Sequence, residues 1–174
     1  MNMELVPIKI EEKEILRNLM EKYLYEFSQY TLWDVNPLGL YGYGYIDHYW
    51  TEKGRWPYFV KVDGKIAGFV MVNDFREADV ATDYTMSEFF IVYKYRRHGI
   101  GRKAAYVVIQ EHPGVWQLKY HPKNIASAKF WNGIVGDLTD GNYQKLEAFP
   151  GCDYDDGTPG TILVFDTKNV KEWA

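Results

Sequence analysis

The chain is poor in cysteine, with Cys152 alone among 174 residues. A single cysteine cannot close an internal disulfide, so the class of small secreted folds stapled by disulfides is excluded. No apolar run approaches the roughly 20 residues that a membrane-spanning helix needs. The first residues are already charged and patterned, so we expect no secretory leader. These absences predict a cytoplasmic protein that has no membrane partner.

The chain also lacks an excess of positive charge. Lysine and arginine number 20 against 24 acidic residues, which gives a formal net charge of −4. Nucleic-acid surfaces usually make a domain basic, so we expect no nucleic-acid partner. The 4 histidines have no metal-ligand spacing, and the acidic segment 153–156 lacks the spacing of a calcium loop. The sequence therefore predicts no metal site.

Apolar residues are abundant, and their spacing predicts alternating strands and helices. Hydrophobic residues make up 47% and aromatic residues 17% of the chain, and its length suits one domain over 1–174. Period-two patterns predict strands at 5–10, 58–62, 65–73, 82–93, 116–120, 142–149 and 161–165. Helical spacing predicts helices at 11–30, 99–111 and 124–135, and a short one near 46–50. In the first helix, one face carries Ile15, Leu19, Tyr23 and Phe27, with Leu16, Met20 and Leu24 beside it.

The segment 88–103 combines a strand, a basic turn and a helix start. An apolar strand ends in a turn that contains Gly99 and Gly101, and helical spacing resumes at once. The first amides of a helix have no intrahelical partner, and they carry the positive end of the helix dipole. The glycines let a phosphate approach the backbone, and Arg96, Arg97 and the basic pair that follows at 102–103 add positive charge. The segment predicts a pyrophosphate-binding turn.

Three kinds of glycine-rich turn are candidates for this segment. The nucleotide-hydrolase loop is excluded because no Gly-x-x-x-x-Gly-Lys-Ser/Thr string exists. A dinucleotide-binding turn stays open, with Ala104 in place of the third glycine, although the next strand lacks the expected acidic residue. The third candidate is an Arg-x-x-Gly-x-Gly string, formed by Arg96, Gly99 and Gly101. It resembles the Arg/Gln-x-x-Gly-x-Gly/Ala signature of the GNAT N-acetyltransferase superfamily.

The resemblance continues on both sides of the turn. Upstream, residues 58–70 resemble the central hairpin of the family, and downstream Asn124-x-x-Ser127-x-x-Phe130-Trp131 resembles its Asn-x-x-Ala-x-x-aromatic-aromatic helix. The resemblance covers about residues 57–133. It implies a mixed α+β fold with a central, mostly antiparallel twisted sheet of six to seven strands and about four flanking helices. It further implies acetyl-CoA as co-substrate and acetyl transfer to an amine.

The resemblance also implies which residues contact the cofactor. Main-chain groups of Phe89, Phe90 and Ile91 are expected to pair with the pantetheine arm. Asn124 is expected to cap its helix and contact the cofactor, and Trp131 to lie over the thioester end. The pyrophosphate is expected at the turn formed by Arg96, Arg97, His98, Gly99, Ile100, Gly101 and Arg102.

Acetyl transfer needs a group that takes a proton from the amine. A lysine-like amine has a pKa near 10.4, so about one molecule in a few thousand is neutral at pH 7. Glu88 is our candidate base, because it lies near the start of the strand expected to hold the thioester. Asp83 and Asp79 are the alternatives, and a purely structural carboxylate at Glu88 stays open.

The departing thiolate raises a second question. The family often has a tyrosine seven residues after the helix asparagine, and here Trp131 occupies that position. An indole donates a hydrogen bond but cannot release its proton near neutral pH. Trp131 is therefore expected to serve in packing. Water, Tyr120 or Tyr143 can supply the proton instead.

The irregular segment 33–56 mixes aromatic residues with carboxylates. Aromatic faces together with carboxylates suit a cationic amine, so Tyr43 and Tyr45 are expected to bind the acceptor. Packing of a second small core is the alternative. We expect a small-molecule or peptide amine as acceptor and a monomer or homodimer as the assembly. A non-catalytic acyl-CoA-binding module on the same fold is the alternative function.

Overall fold

The computed structural model describes residues 1–168, and its strands join into a 7-stranded sheet. These strands are β1 (Met3–Pro7), β2 (Arg55–Val62), β3 (Lys65–Asn73), β4 (Tyr84–Ile91), β5 (Val115–Tyr120), β6 (Gln144–Glu147) and β7 (Thr161–Asp166). Their order is β1-β2-β3-β4-β5-β7-β6. Strands β4 and β5 run parallel, and the other neighbouring pairs are antiparallel. The predicted, mostly antiparallel sheet is confirmed.

Four α-helices accompany the sheet within residues 1–168. They are α1 (Lys13–Thr31), α2 (His48–Thr51), α3 (Ile100–Glu111) and α4 (Ile125–Thr139). The sheet has a hydrophobic core on each face. Because successive side chains of a strand point to opposite faces, Val60 packs with α3 and α4 in one core, whereas Phe59 packs with α1 in the other. The chain therefore has the mixed α+β fold that the sequence predicted.

The buried face of α1 differs from the expected one. Its buried apolar residues are Leu16, Met20 and Leu24, whereas Ile15 is 42% exposed. The reason is tertiary packing, because these three side chains belong to the same core as residues of β2 and β3. Because α1 turns this face to the sheet, Tyr23 lies at the edge of the core and not at the centre of the core. There it forms part of the wall of a cleft.

The first strand lies earlier in the chain than predicted, at Met3–Pro7 instead of 5–10. Its register pairs Met3 with Val62, and after Pro7 one bond from Ile8 N to the Pro57 carbonyl continues the contact. The chain then turns because the Glu12 carboxylate accepts a hydrogen bond from the Lys9 amide at 3.0 Å. This local cap ends the strand before the apolar pattern ends.

Two kinds of feature are absent from residues 1–168. No helix in this range is both long and apolar enough to cross a membrane. No group of three or more histidine, cysteine or acidic side chains in the same range is arranged to hold a metal ion. Residues 169–174, the end of the single domain predicted for 1–174, lie outside the described residues. The single-domain assignment stays a prediction.

Candidate active site

Strands β4 and β5 pair over only part of their length. Their last paired residues are Met86 and Leu118, so the second half of β4 has no neighbour on that side within residues 1–168. A bulge follows at once: Met71 of β3 pairs with Glu88 and the next β3 residue pairs with Met86, which leaves Ser87 unpaired. A bulge bends its strand and increases the local twist. A cleft of about 1390 Å³ runs along the separated strands.

A glycine of β3 shows which main-chain groups of β4 face this cleft. A Cβ at Gly68 would lie 1.9 Å from the Phe90 carbonyl oxygen, so this carbonyl points toward β3. Peptide groups alternate along a strand, so those of Phe89 and Ile91 point to the cleft side. The Ile91 carbonyl accepts a hydrogen bond from Arg96 Nε. Both main-chain groups of Phe89 and the Ile91 N–H are therefore available to a ligand, whereas the Phe90 main chain is directed at β3.

The turn after β4 presents a row of unpaired amides. The Lys103 amide donates to the Gly99 carbonyl at 3.0 Å, whereas the amides from Arg97 to Arg102 donate to no group among residues 1–168. Gly99 precedes α3 with φ 75°, a conformation that favours glycine. Unpaired amides at a helix N-terminus bind anions, and this turn lines the cleft.

The basic side chains of the turn divide into two groups. Arg96 forms a bidentate ion pair with Glu26 of α1, with both N–O distances at 2.8 Å, and its guanidinium lies 4.2 Å from the Tyr93 ring centre. Arg102 is paired with Asp137 of α4. Arg97 is exposed, and no described group pairs with its side chain. Arg96 and Arg102 thus tie the turn to two helices, and Arg97 leaves its charge to a ligand.

The ion pair with Arg96 affects the pKa of Glu26. Burial alone would raise the pKa of the Glu26 carboxyl, but hydrogen bonds from Arg96 and Tyr93 outweigh burial and lower the pKa on balance. Glu26 is therefore a carboxylate at neutral pH. It balances the charge of Arg96, and the ion pair holds the turn against α1.

Asn124 begins α4 as the sequence predicted for a capping residue. Its Oδ1 accepts a hydrogen bond from the Ser127 amide at 3.1 Å. Its Nδ2 donates to no described group, and the residue lines the cleft. Capping therefore occupies the oxygen and leaves the N–H groups of the amide free to bind a ligand.

Glu88 lines the cleft beside the bulge. Tyr43 Oη donates to its carboxylate at 3.1 Å, and Tyr23 supplies a second hydrogen bond. Burial raises the pKa of Glu88 to about 7, and the two tyrosine hydrogen bonds limit this rise. A carboxyl group whose pKa lies near neutrality changes its protonation state easily at pH 7, as a general base must.

The two tyrosines themselves stay protonated. Burial raises the pKa of Tyr23 well above 10.0, and the negative charge of Glu88 adds to this effect. The same two causes raise the pKa of Tyr43. Both hydroxyls therefore act as hydrogen-bond donors to Glu88. The two alternative bases are placed elsewhere: neither Asp83, which accepts from the Val115 amide at 2.8 Å, nor Asp79 lines the cleft.

The segment 33–56 contributes to the cleft and also to a core. Tyr49 is 5% exposed and packs with Leu16 and Phe69. Part of the segment therefore packs a core, which was the alternative interpretation from the sequence. Tyr45 is 63% exposed, lines the cleft and lies edge-on to Tyr43. Both tyrosines singled out from the sequence therefore lie in the cleft, one of them as a direct partner of Glu88.

A sequence comparison now places this chain among known proteins. A family model described as "Acetyltransferase (GNAT) family" matches residues 13–134, more than half of the chain. The chain belongs to the GNAT acetyltransferase family. No curated protein matches it in sequence.

Solved structures of acetyltransferases have the same fold at low identity. An acetyltransferase from Thermus thermophilus has a TM-score of 0.63 and 13% identity, with 95% of this chain and 97% of that chain covered. A GNAT acetyltransferase from Bacillus cereus has a TM-score of 0.62 and 14% identity, with 95% and 98% covered. The ribosomal-protein-S18-alanine N-acetyltransferase from Escherichia coli has a TM-score of 0.57 and 12% identity, with 99% of each chain covered.

Several cleft residues of this GNAT acetyltransferase were not predicted from the sequence. Tyr154 arrives from the loop before β7, where it packs 4.7 Å from the His121 ring and 5.7 Å from the Phe27 ring. Trp33 fixes this loop, because its indole N–H donates to Asp155 at 2.9 Å. A weak signal existed for Tyr23 alone, since a hydroxyl on the apolar face of a helix requires a polar partner. The loop residues carried no such signal.

Trp131 lies on the wall of the cleft. It is 6% exposed, and its ring packs 5.1 Å from Phe89 and 4.9 Å from Phe130. Its indole N–H donates to no group within residues 1–168. The ring therefore joins α4 to the cleft-facing side of β4.

We expect Trp131→Phe to retain most of the transferase activity, because a phenyl ring keeps the packing and no proton is transferred from the indole. Trp131→Ala should lower the free energy of unfolding by about 3 kcal/mol or more, as large aromatic truncations do. Steady-state kinetics and thermal unfolding measure the two effects. A large fall in turnover for the phenylalanine variant at unchanged thermal stability would contradict the packing role.

Proposed function

We propose that this protein is a cytoplasmic N-acetyltransferase that moves an acetyl group from acetyl-CoA directly to the primary amine of a cationic acceptor. The observation that carries this proposal is the position of Glu88. A carboxyl group with a pKa of about 7 lies on the bulge of β4, next to the place where β4 separates from β5. A proton acceptor is thus beside the strand that offers its free main-chain groups to a ligand.

The described residues suit coenzyme A. A ligand with a pyrophosphate fits the unpaired amides from Arg97 to Arg102, and an amide-bearing arm fits the main-chain groups of Phe89 and Ile91. The free N–H groups of Asn124 line the same cleft. Acetyl-CoA supplies an activated acyl group when it is bound. The protein positions that group, and Glu88 accepts the proton that the amine loses, directly or through water.

The surroundings of Glu88 support a cationic acceptor. Two basic residues that line the cleft are already paired, Arg96 with Glu26 and Lys119 with Glu77 at 3.7 Å, whereas the unpaired Arg97 belongs to the turn. Glu88 has hydrogen-bond donors as partners but no ion pair among residues 1–168. An ammonium group entering this cleft meets an unbalanced carboxylate and aromatic faces, both of which favour a cation.

The test is a panel of amines assayed for release of free coenzyme A from acetyl-CoA. The panel contains diamines, aminoglycosides, amino-acid amides and peptides with free N-termini, together with neutral and anionic amines of similar size. We expect turnover to be highest for acceptors that carry a positive charge besides the reacting amine. If neutral or anionic amines are the best substrates, the cationic preference is refuted. Binding of acetyl-CoA without turnover of any amine would favour the non-catalytic module.

Tyr45 offers a specific check of the acceptor site. Tyr45→Ala should raise the acceptor KM by about two- to fivefold, the effect of losing one exposed cation–π contact, and leave the acetyl-CoA KM unchanged. Stability should not change, because the side chain is 63% exposed. The matched control is Tyr25→Ala, since Tyr25 is 72% exposed and does not line the cleft. Equal effects of both variants on the acceptor KM would place acceptor binding elsewhere.

A further inference from the structure

Acetyl transfer leaves a thiolate behind, and the chain has to deal with it without the usual tyrosine on α4. A thiol has a pKa near 8.5, so a thiolate leaves more readily when a proton is delivered to its sulfur. Trp131 cannot deliver one near neutral pH. The proton donor is therefore water or another group that lines the cleft.

Tyr120 is the last residue of β5 and lies beyond the last residue of that strand to pair with β4, Leu118. The residue lines the cleft and is only 4% exposed. It follows from these positions that Tyr120 lies where β5 has separated from β4. A ligand bound against the free side of Phe89 on β4 therefore has Tyr120 of β5 on its opposite side.

The hydrogen bonds of Tyr120 leave its proton free. Asn132 Nδ2 donates to Tyr120 Oη at 2.8 Å and also to the Ala128 carbonyl at 2.8 Å. Tyr143 Oη donates to Asn132 Oδ1 at 3.0 Å, which fixes the orientation of the amide. Tyr120 Oη is therefore an acceptor in this network, and its own O–H donates to no group within residues 1–168.

The network also distinguishes the two tyrosines that the sequence offered as proton donors. The hydroxyl proton of Tyr143 is used in the bond to Asn132, and Tyr143 does not line the cleft. Tyr120 is a lining residue of the cleft, and its hydroxyl proton is uncommitted within residues 1–168. The N–H of Asn132 stabilises the negative oxygen that remains on Tyr120 after proton transfer, because a hydrogen-bond donor favours the charged form.

We propose that Tyr120 is the general acid of the acetyl transfer, in place of a residue on α4. As the nitrogen–carbon bond of the amide forms and the carbon–sulfur bond breaks, the Tyr120 proton moves to the sulfur, and free coenzyme A leaves as the thiol. Glu88 has by then taken the proton of the amine. Return of one proton from Glu88 to Tyr120 through solvent restores both groups. Asn132 and Tyr143 are positioning residues in this scheme, which rests on the proposed function.

The test compares Tyr120→Phe with Tyr58→Phe in the intact chain. Tyr58 is likewise buried, and its hydroxyl is hydrogen-bonded to His112 at 2.8 Å, outside the cleft. We expect Tyr120→Phe to lower kcat at least tenfold without changing the acetyl-CoA Kd. Tyr58→Phe should have normal kcat. Thermal unfolding of both variants shows whether each is folded.

A change of leaving group separates proton donation from packing. The selenoester analogue of acetyl-CoA releases a selenolate, which needs no protonation because a selenol is a much stronger acid than a thiol. The Tyr120→Phe variant should therefore recover most of its lost kcat with this donor. If kcat of the folded variant is normal with acetyl-CoA, or if its loss is the same with both donors, Tyr120 is not the acid. Failure of the unmodified protein to acetylate any amine would instead refute the proposed function.

Discussion

Replacing Glu88 by glutamine should lower turnover by about a hundredfold or more, because glutamine preserves the size of the side chain and removes the proton acceptor. The acetyl-CoA Kd should hardly change, since the turn between Arg97 and Arg102 lies on a different part of the cleft. Steady-state kinetics and calorimetry measure the two quantities. The control is Asp83→Asn, which changes a carboxylate directly before β4 that does not line the cleft. Near-normal turnover of the glutamine variant would show that Glu88 is not the base.

The pH dependence gives a second measure of the same group. Glu88 accepts a proton only when ionised, and its pKa is about 7, so kcat/KM should rise with pH up to about 7 and then level off. This rise should disappear in Glu88→Gln. In Tyr43→Phe it should move to higher pH, because the hydrogen bond from Tyr43 lowers the pKa of Glu88. A rise that stays unchanged in both variants would have to come from another group.

The free energy of unfolding should change with pH in the opposite direction to kcat/KM, because the contribution of Glu88 to stability falls as pH rises. The folded-state pKa of Glu88, about 7, lies above the value of 4.5 that applies to the unfolded chain. The unfolded chain therefore loses this proton first as pH rises, and the contribution of Glu88 to stability declines between about 4.5 and 7. Above that range Glu88→Gln should be more stable than the unmodified protein, and below pH 4.5 the two should be similar. Denaturant unfolding at two pH values measures this difference, and it also shows that the inactive variant is folded.

A carboxylate introduced at Gly99 should abolish most acetyl-CoA binding. Gly99→Glu places a side chain and a negative charge at the row of unpaired amides, so we expect Kd to rise at least tenfold, or about 1.4 kcal/mol. Part of the effect is backbone strain, because Gly99 has φ 75° and a non-glycine residue is strained there. Isothermal calorimetry with acetyl-CoA gives the affinity, and thermal unfolding gives the stability.

Two further variants separate strain from charge. Gly141→Glu introduces the same residue at a glycine with φ 79°, which follows α4 and does not line the cleft. It should lose comparable stability and keep normal acetyl-CoA affinity. Gly99→Ala introduces the strain without the charge, so its affinity should fall between those of the unmodified protein and Gly99→Glu. A folded Gly99→Glu variant with unchanged affinity would show that the pyrophosphate lies elsewhere.

The sequence alone was sufficient for the elements whose signals are local. The turn around Gly99 depends on residues that are adjacent in the chain: a strand end, glycines and a helix start. The same is true of the Asn124 cap, whose partner Ser127 is three residues away. The type of each helix and strand followed from the short period of its apolar residues. The predicted boundaries were wrong where tertiary contacts or local caps ended an element, as at Pro7.

Only the tertiary structure decided the chemistry of the cleft. Glu88 gains its hydrogen bond from Tyr43 across 45 residues, and Arg96 is paired with Glu26 across 70. The separation of β4 from β5 depends on register and on a bulge, neither of which leaves a periodic trace in the sequence. The sequence by itself determined that a basic glycine turn and a helix start follow a buried strand. Folding determined which charges of that turn stay free and which carboxyl group has a raised pKa, because burial, ion pairing and hydrogen bonding depend on side chains that are distant along the chain.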